Sequence, residues 1–89
     1  MVNQFILIEF GNRVRHLRTQ AGLSQEKLSF LTGFHRTYIG MIERGERNIS
    51  LTNILVFAKA FEMDVSELID FKKQNTKLSF NDYELKVNK

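Results

Sequence analysis

Eighty-nine residues with no cysteine, no proline and a net charge of +3 make one small domain, which excludes a disulfide scaffold, a thiolate metal centre and most enzyme folds that need a separate substrate domain. The opening QFILIEF carries an acid and has neither a basic leader nor a small-residue cleavage site, so it predicts neither a secretion signal nor a membrane span, and a reducing, cytoplasmic setting is the expectation. The excess charge sits in residues 1–50, where Arg13, Arg15, Arg18, Lys27, Arg36, Arg44 and Arg47 face Glu9, Glu26, Glu43 and Glu46, and no arginine follows Arg47; this reads either as a solvated surface or as a face for phosphate and guanine edges, which the planar arginine fork matches.

Taken in chain order, Phe10, Val14, Leu17 and Ala21 form an apolar stripe at helical spacing that stops at Gly22, a C-terminal capping residue. Ser24 is placed to cap a second short helix, QEKLSFLT, with Glu26 in its positive first turn and Gly33 beyond its end. A third helix runs from His35 to about Arg44, with Ile39 and Ile42 inward and Gly45 as its exit. Ser50 caps a fourth, in which Leu51, Ile54, Leu55, Ala58 and Phe61 are read as the inward stripe. Asp64 and Glu67 have the spacing of a capping box for a fifth, VSELIDF. Five helices with short links predict an all-α bundle.

The second and third helices have the proportions of a helix-turn-helix, whose second helix lies in the DNA major groove. With Ile39 and Ile42 inward, Arg36, Thr37, Gly40, Met41 and Arg44 fall on the outer side of that helix. Arg36 and Thr37 stand at its N-terminus, where base edges are reached, and a small residue at Gly40 lets the backbone approach the groove floor. The same spacing also suits an ordinary amphipathic helix with a solvated charged face.

The stretch GLSQEKLSFLTGFHRTYIGMIERGERNISLTNILVFAKAF closely resembles the Cro/C1-type (XRE) helix-turn-helix family, and HRTYIGMIERGERNISL is similar in particular to the controller proteins of restriction–modification systems. The resemblance covers about residues 6 to 71 and implies a five-helix, lambda repressor-like fold, a homodimer on a near-palindromic double-stranded operator, and transcriptional control, with RNA polymerase as a further partner. It implies that Gln25 contacts phosphate, that Arg36 and Thr37 read bases, that Tyr38 faces phosphate, that Arg47 and Asn48 lie in a loop meeting the backbone or adjacent bases, and that Arg18 and Glu43 form a structural ion pair. Two departures stand out: His35 replaces a small polar cap, and Met41 stands where some relatives carry a base-reading amide.

Weighed against these roles, Arg18 is better placed to pair with Glu43 than to hold a phosphate, though one edge of its fork could still reach one, and Tyr38 is divided between core and surface. His16 and His35 lack a third ligand at useful spacing, GMIERG is not followed by the Lys-Ser/Thr of a phosphate loop, and no nucleophile, base and orienter can be assembled, so neither metal, cofactor nor catalysis is expected.

Once the fourth helix's inward stripe is assigned, Val56, Phe57 and Ala60 remain apolar on another flank, with Met63, Ile69 and Phe71 following. These are expected to form an isologous two-fold interface centred on Phe57, the alternative being one thick monomer core. Residues 1–71 are thus read as the DNA-binding and dimerisation domain and 72–89 as a tail. There Asn81-Asp82 would turn a hairpin that puts Leu78, Phe80, Tyr83 and Leu85 on one face, unless the terminus is frayed. Two other functions compete with an operator-binding regulator: an antitoxin or prophage-type repressor, and a helical protein-interaction module whose basic face is incidental.

Overall fold

The computed structural model describes residues 4–74 and contains α1 (Gln4–Gln20), α2 (Gln25–Thr32), α3 (Arg36–Glu43), α4 (Leu51–Ala60), α5 (Val65–Leu68) and a closing 3-10 turn, Phe71–Gln74. Among the described residues there is no strand; the hairpin expected around Asn81-Asp82 lies outside them.

Local chemistry sets most of the boundaries. The Ser24 hydroxyl accepts the Lys27 N–H at 3.0 Å, and Ser50 accepts that of Asn53 at 3.2 Å, each relieving a donor left over at a helix start. Gly33 closes α2 at φ 81°, a left-handed conformation that costs glycine nothing. His35 replaces the usual small cap with its ring: Nδ1 accepts the Thr37 N–H at 3.0 Å. Of the capping box expected at Asp64 and Glu67, the Asp64 half is missing, since Asp64 makes no side-chain cap bond. The fifth helix is accordingly a single turn rather than the full VSELIDF.

The core gathers Phe10 and Val14 of α1, Leu28 of α2, Ile39 and Ile42 of α3, Phe57 and Ala58 of α4, and Leu68 of α5. Phe57 is its centre: the ring meets Phe34 at 5.3 Å, Phe10 edge-on at 6.2 Å and Phe61 at 6.4 Å. This overturns the dimer-interface assignment of Phe57, which has no exposed surface. The physical reason is rotational. The inward line of α4 runs through Ile54, Phe57, Ala58 and Phe61, whereas Leu51 is 77 % and Leu55 50 % exposed. One helical residue is 100° of turn, so a stripe read with Leu51 and Leu55 inside turns the helix away from its core.

Two polar side chains hold the helices from within. Arg13 is buried and donates through Nε to the Leu68 carbonyl at 2.9 Å and through Nη2 to that of Glu67 at 2.7 Å. It thereby adds donors to the carbonyls at the end of α5, where the Glu67 oxygen also accepts the Asp70 N–H at 3.2 Å. Gly11 lets α1 touch α3: a Cβ there would lie 2.7 Å from the Glu43 carbonyl oxygen and closer still to that of Ile42.

Candidate nucleic-acid interface

α2 and α3 pack on one another, and α3 rests on α1, which fixes the third helix on a buried base of Ile39 and Ile42. Its N-terminal turn presents Arg36 and Thr37 to solvent. Met41 is half-buried one turn on; Arg44, Arg47 and Asn48 are exposed at and beyond the C-terminal end.

Beneath this surface lies a buried carboxylate. Glu43 is 5 % exposed and takes the Arg18 fork on both oxygens, Nε at 2.5 Å and Nη2 at 3.1 Å. The Gln25 amide adds a third donor at 3.1 Å. The remaining nitrogen of Arg18 donates to the Leu23 carbonyl at 2.8 Å. The ion pair expected between Arg18 and Glu43 is therefore present, and the phosphate role assigned to Arg18 is corrected: its fork is spent on three internal acceptors. Gln25 is likewise not the freely exposed side chain that a purely phosphate-holding role implies. It is half-buried and bonded to Glu43, so it ties the start of α2 to the end of α3.

Gly40 also reads differently in three dimensions. It is buried, with the Arg44 Nη1 only 3.1 Å from where a Cβ would stand and both Gln25 amide heteroatoms at 3.8 Å. What the missing side chain admits is the Arg44 guanidinium lying back along the helix, not the groove floor, and Gly40 is withdrawn as a base contact. Arg44 in turn pairs with Glu46, Nε at 2.9 Å and Nη2 at 3.2 Å. That hydrogen bond is the main reason why Glu46 titrates below, and Arg44 above, its ordinary value.

Tyr38 belongs to both core and surface. Its ring packs edge-on against Phe34 at 5.0 Å, its hydroxyl accepts from Asn53 Nδ2 at 3.0 Å, and the Arg47 guanidinium sits 5.3 Å from the ring centre. A phenol that accepts from Asn53 keeps its own proton to donate, and a cation held over an aromatic face is partly ordered in advance. Sequence reasoning missed Asn53 and Phe34 as the residues that orient Tyr38: the Asn53 contact crosses from α4 to α3, and Phe34 lies in the turn just before α3, four residues from Tyr38.

A helix-turn-helix family model matches residues 14–68. Control protein C.BamHI of Bacillus amyloliquefaciens is 47 % identical over 72 residues, covering 80 % of this chain and 88 % of its own. This chain belongs to the controller-protein family of helix-turn-helix regulators. Membership makes it a transcription regulator and not an enzyme. Among solved controller-protein structures, the restriction–modification controller C.AhdI from Aeromonas hydrophila is 55 % identical, covers 70 % of this chain and 94 % of its own, and superposes with a TM-score of 0.67. The controller C.Esp1396I has been solved as a tetramer on its natural 35-base-pair operator; it is 27 % identical over 79 % of this chain and 93 % of its own, with a TM-score of 0.72. Among the described residues of this controller-family chain, no helix is long and apolar enough to cross a membrane.

Proposed function

We propose that this chain is a sequence-specific, double-stranded-DNA-binding regulator that acts as a homodimer on a near-palindromic operator and controls a restriction–modification operon. The observation that carries this reading is the third helix itself: rigidly seated on Ile39 and Ile42, with Arg36 and Thr37 exposed at the end that a recognition helix turns to the bases. Arg36, Thr37, Met41 and Arg47 are the base readers in this scheme, and Gln25, Tyr38, Arg44 and Asn48 the phosphate contacts. The operator-bound tetramer of C.Esp1396I supports duplex binding and self-association in a relative. In this reading the protein acts in the cytoplasm, with RNA polymerase as its functional counterpart.

Residues 1–71 form the working unit, and the homodimer interface lies on the apolar surface that the corrected α4 leaves outside. Leu51, Leu55 and Ile69 are its exposed members; Ile69 and Phe71 also line, with Ile6, Leu7 and Ile54, an apolar recess of about 240 Å³. Val56, Ala60 and Met63, assigned to the interface from sequence, are half-buried along shallow grooves beside Leu31, and they take no central part.

Selection of bound duplexes from a random pool tests the reading directly. The expected product is a pair of inverted half-sites about one helical turn apart, or a multiple of it. Arg36→Ala is then expected to cost ~1–3 kcal/mol on that operator, relax one base position per half-site, and lose much less on random duplex. Recovery of no preferred sequence would refute it, and an unchanged specificity ratio for Arg36→Ala would remove Arg36 as a base reader.

A further inference from the structure

The geometry points to Glu46 as a positioning residue for Arg44 and as an internal competitor with DNA phosphate for that side chain, an inference that rests on the duplex-binding reading above. The chain turns through Gly45 at φ 74°. The Gly45 N–H donates to the Ile42 carbonyl at 3.0 Å and the Glu46 N–H to that of Met41 at 2.9 Å, so residue 46 is set against the end of α3 by its own backbone. From there its carboxylate takes Nε and Nη2 of Arg44 together. The third nitrogen, Nη1, lies against Gly40.

A carboxylate and a phosphate offer a guanidinium the same paired oxygen edge. The Arg44 fork is thus already filled, by an anion two residues away, and held flat on the outer side of α3. A phosphate oxygen can bind that edge only by displacing Glu46. Both side chains are about half exposed, 57 % and 48 %, so the exchange is between two hydrated anions. Exposed pairs of this kind are worth roughly a factor of two to five in an equilibrium. Gly40 leaves room for this arrangement, since a Cβ there would stand 3.1 Å from Nη1 and the guanidinium would have to shift by a few tenths of an ångström.

The test is a double-mutant cycle on intact protein: wild type, Glu46→Gln, Arg44→Ala and the double variant, each bound to a random-sequence duplex across a range of salt concentration. Glu46→Gln is expected to bind roughly two- to fivefold tighter, with a salt slope steeper by about 0.9, the signature of one more phosphate neutralised. In the Arg44→Ala background the same substitution is expected to give less than half that gain and no change in slope. All four proteins should melt alike, since neither side chain is buried. An equal gain in both backgrounds would show that Glu46 acts only by its charge and overturn the inference while leaving DNA binding intact. Failure of all four proteins to bind any duplex would overturn the regulator reading and this inference together.

Discussion

The buried Arg18–Glu43 pair offers a sharp stability experiment. Replacing Arg18 by Met keeps much of the aliphatic stem but leaves the Glu43 carboxylate with one amide donor from Gln25 and, as its nearest cation, an Arg15 that is 66 % exposed and 4.0 Å away. The Glu43 side chain is 2 % exposed, and removing one partner of such a pair costs about 3–5 kcal/mol because the other charge stays buried. A chain of 89 residues has a total stability of roughly 4–13 kcal/mol. Arg18→Met alone is therefore expected to lower the melting temperature by at least ~12 °C. Adding Glu43→Leu removes the orphaned charge and should recover most of that loss, leaving a residual of about 1 kcal/mol for the Leu23 carbonyl that Arg18 also serves. Denaturant unfolding of the two single variants and the double variant measures this coupling. A double variant no more stable than Arg18→Met, or an Arg18→Met loss below about 1 kcal/mol, would refute the claim that Glu43 is charged, buried and dependent on Arg18.

Gly11→Ala places a methyl group against the α3 backbone, so calorimetry should show a loss of roughly 1–3 kcal/mol, together with weaker operator binding as α3 is displaced. Gln25→Ala should reduce duplex affinity and, unlike a purely exposed residue, also lower stability by about 1 kcal/mol through its lost bond to Glu43. Leu55→Lys on the exposed flank of α4 should give a monomer in sedimentation at micromolar concentration with its fold intact, whereas Phe57→Lys should unfold the chain; dimers that persist in Leu55→Lys would place the interface elsewhere. The folded-state pKa of Glu46 is lowered chiefly by its hydrogen bond to Arg44, so the pair's contribution is present above the ordinary Glu value and is lost as pH falls through the lowered one. An NMR titration of the Glu46 carboxyl in wild type and Arg44→Ala checks this, with an upward move in the variant expected.

The sequence by itself determined the elements and the family. Ser24, Ser50 and Gly33 act within a few residues of themselves, and the Ile39–Ile42 spacing seats the third helix, so helix-turn-helix order, the serine caps and the exposure of Arg36 and Thr37 were legible as local pattern. Only the tertiary structure decided rotation and partnership. On α4 two overlapping apolar stripes, one through Leu51 and Leu55 and one through Phe57 and Phe61, fit the same periodicity; what separates them is that the ring of Phe57 fills the space between Phe10 of α1 and Phe34 of the α2–α3 turn, both far away in the chain. Arg13 looked like a surface cation for the same reason, whereas the pairing of Arg18 with Glu43 was expected through the family resemblance. Their acceptors are the carbonyls at the end of α5 and the carboxylate of Glu43, and a charge that is solvated in an extended chain becomes structural only when folding brings such acceptors to it.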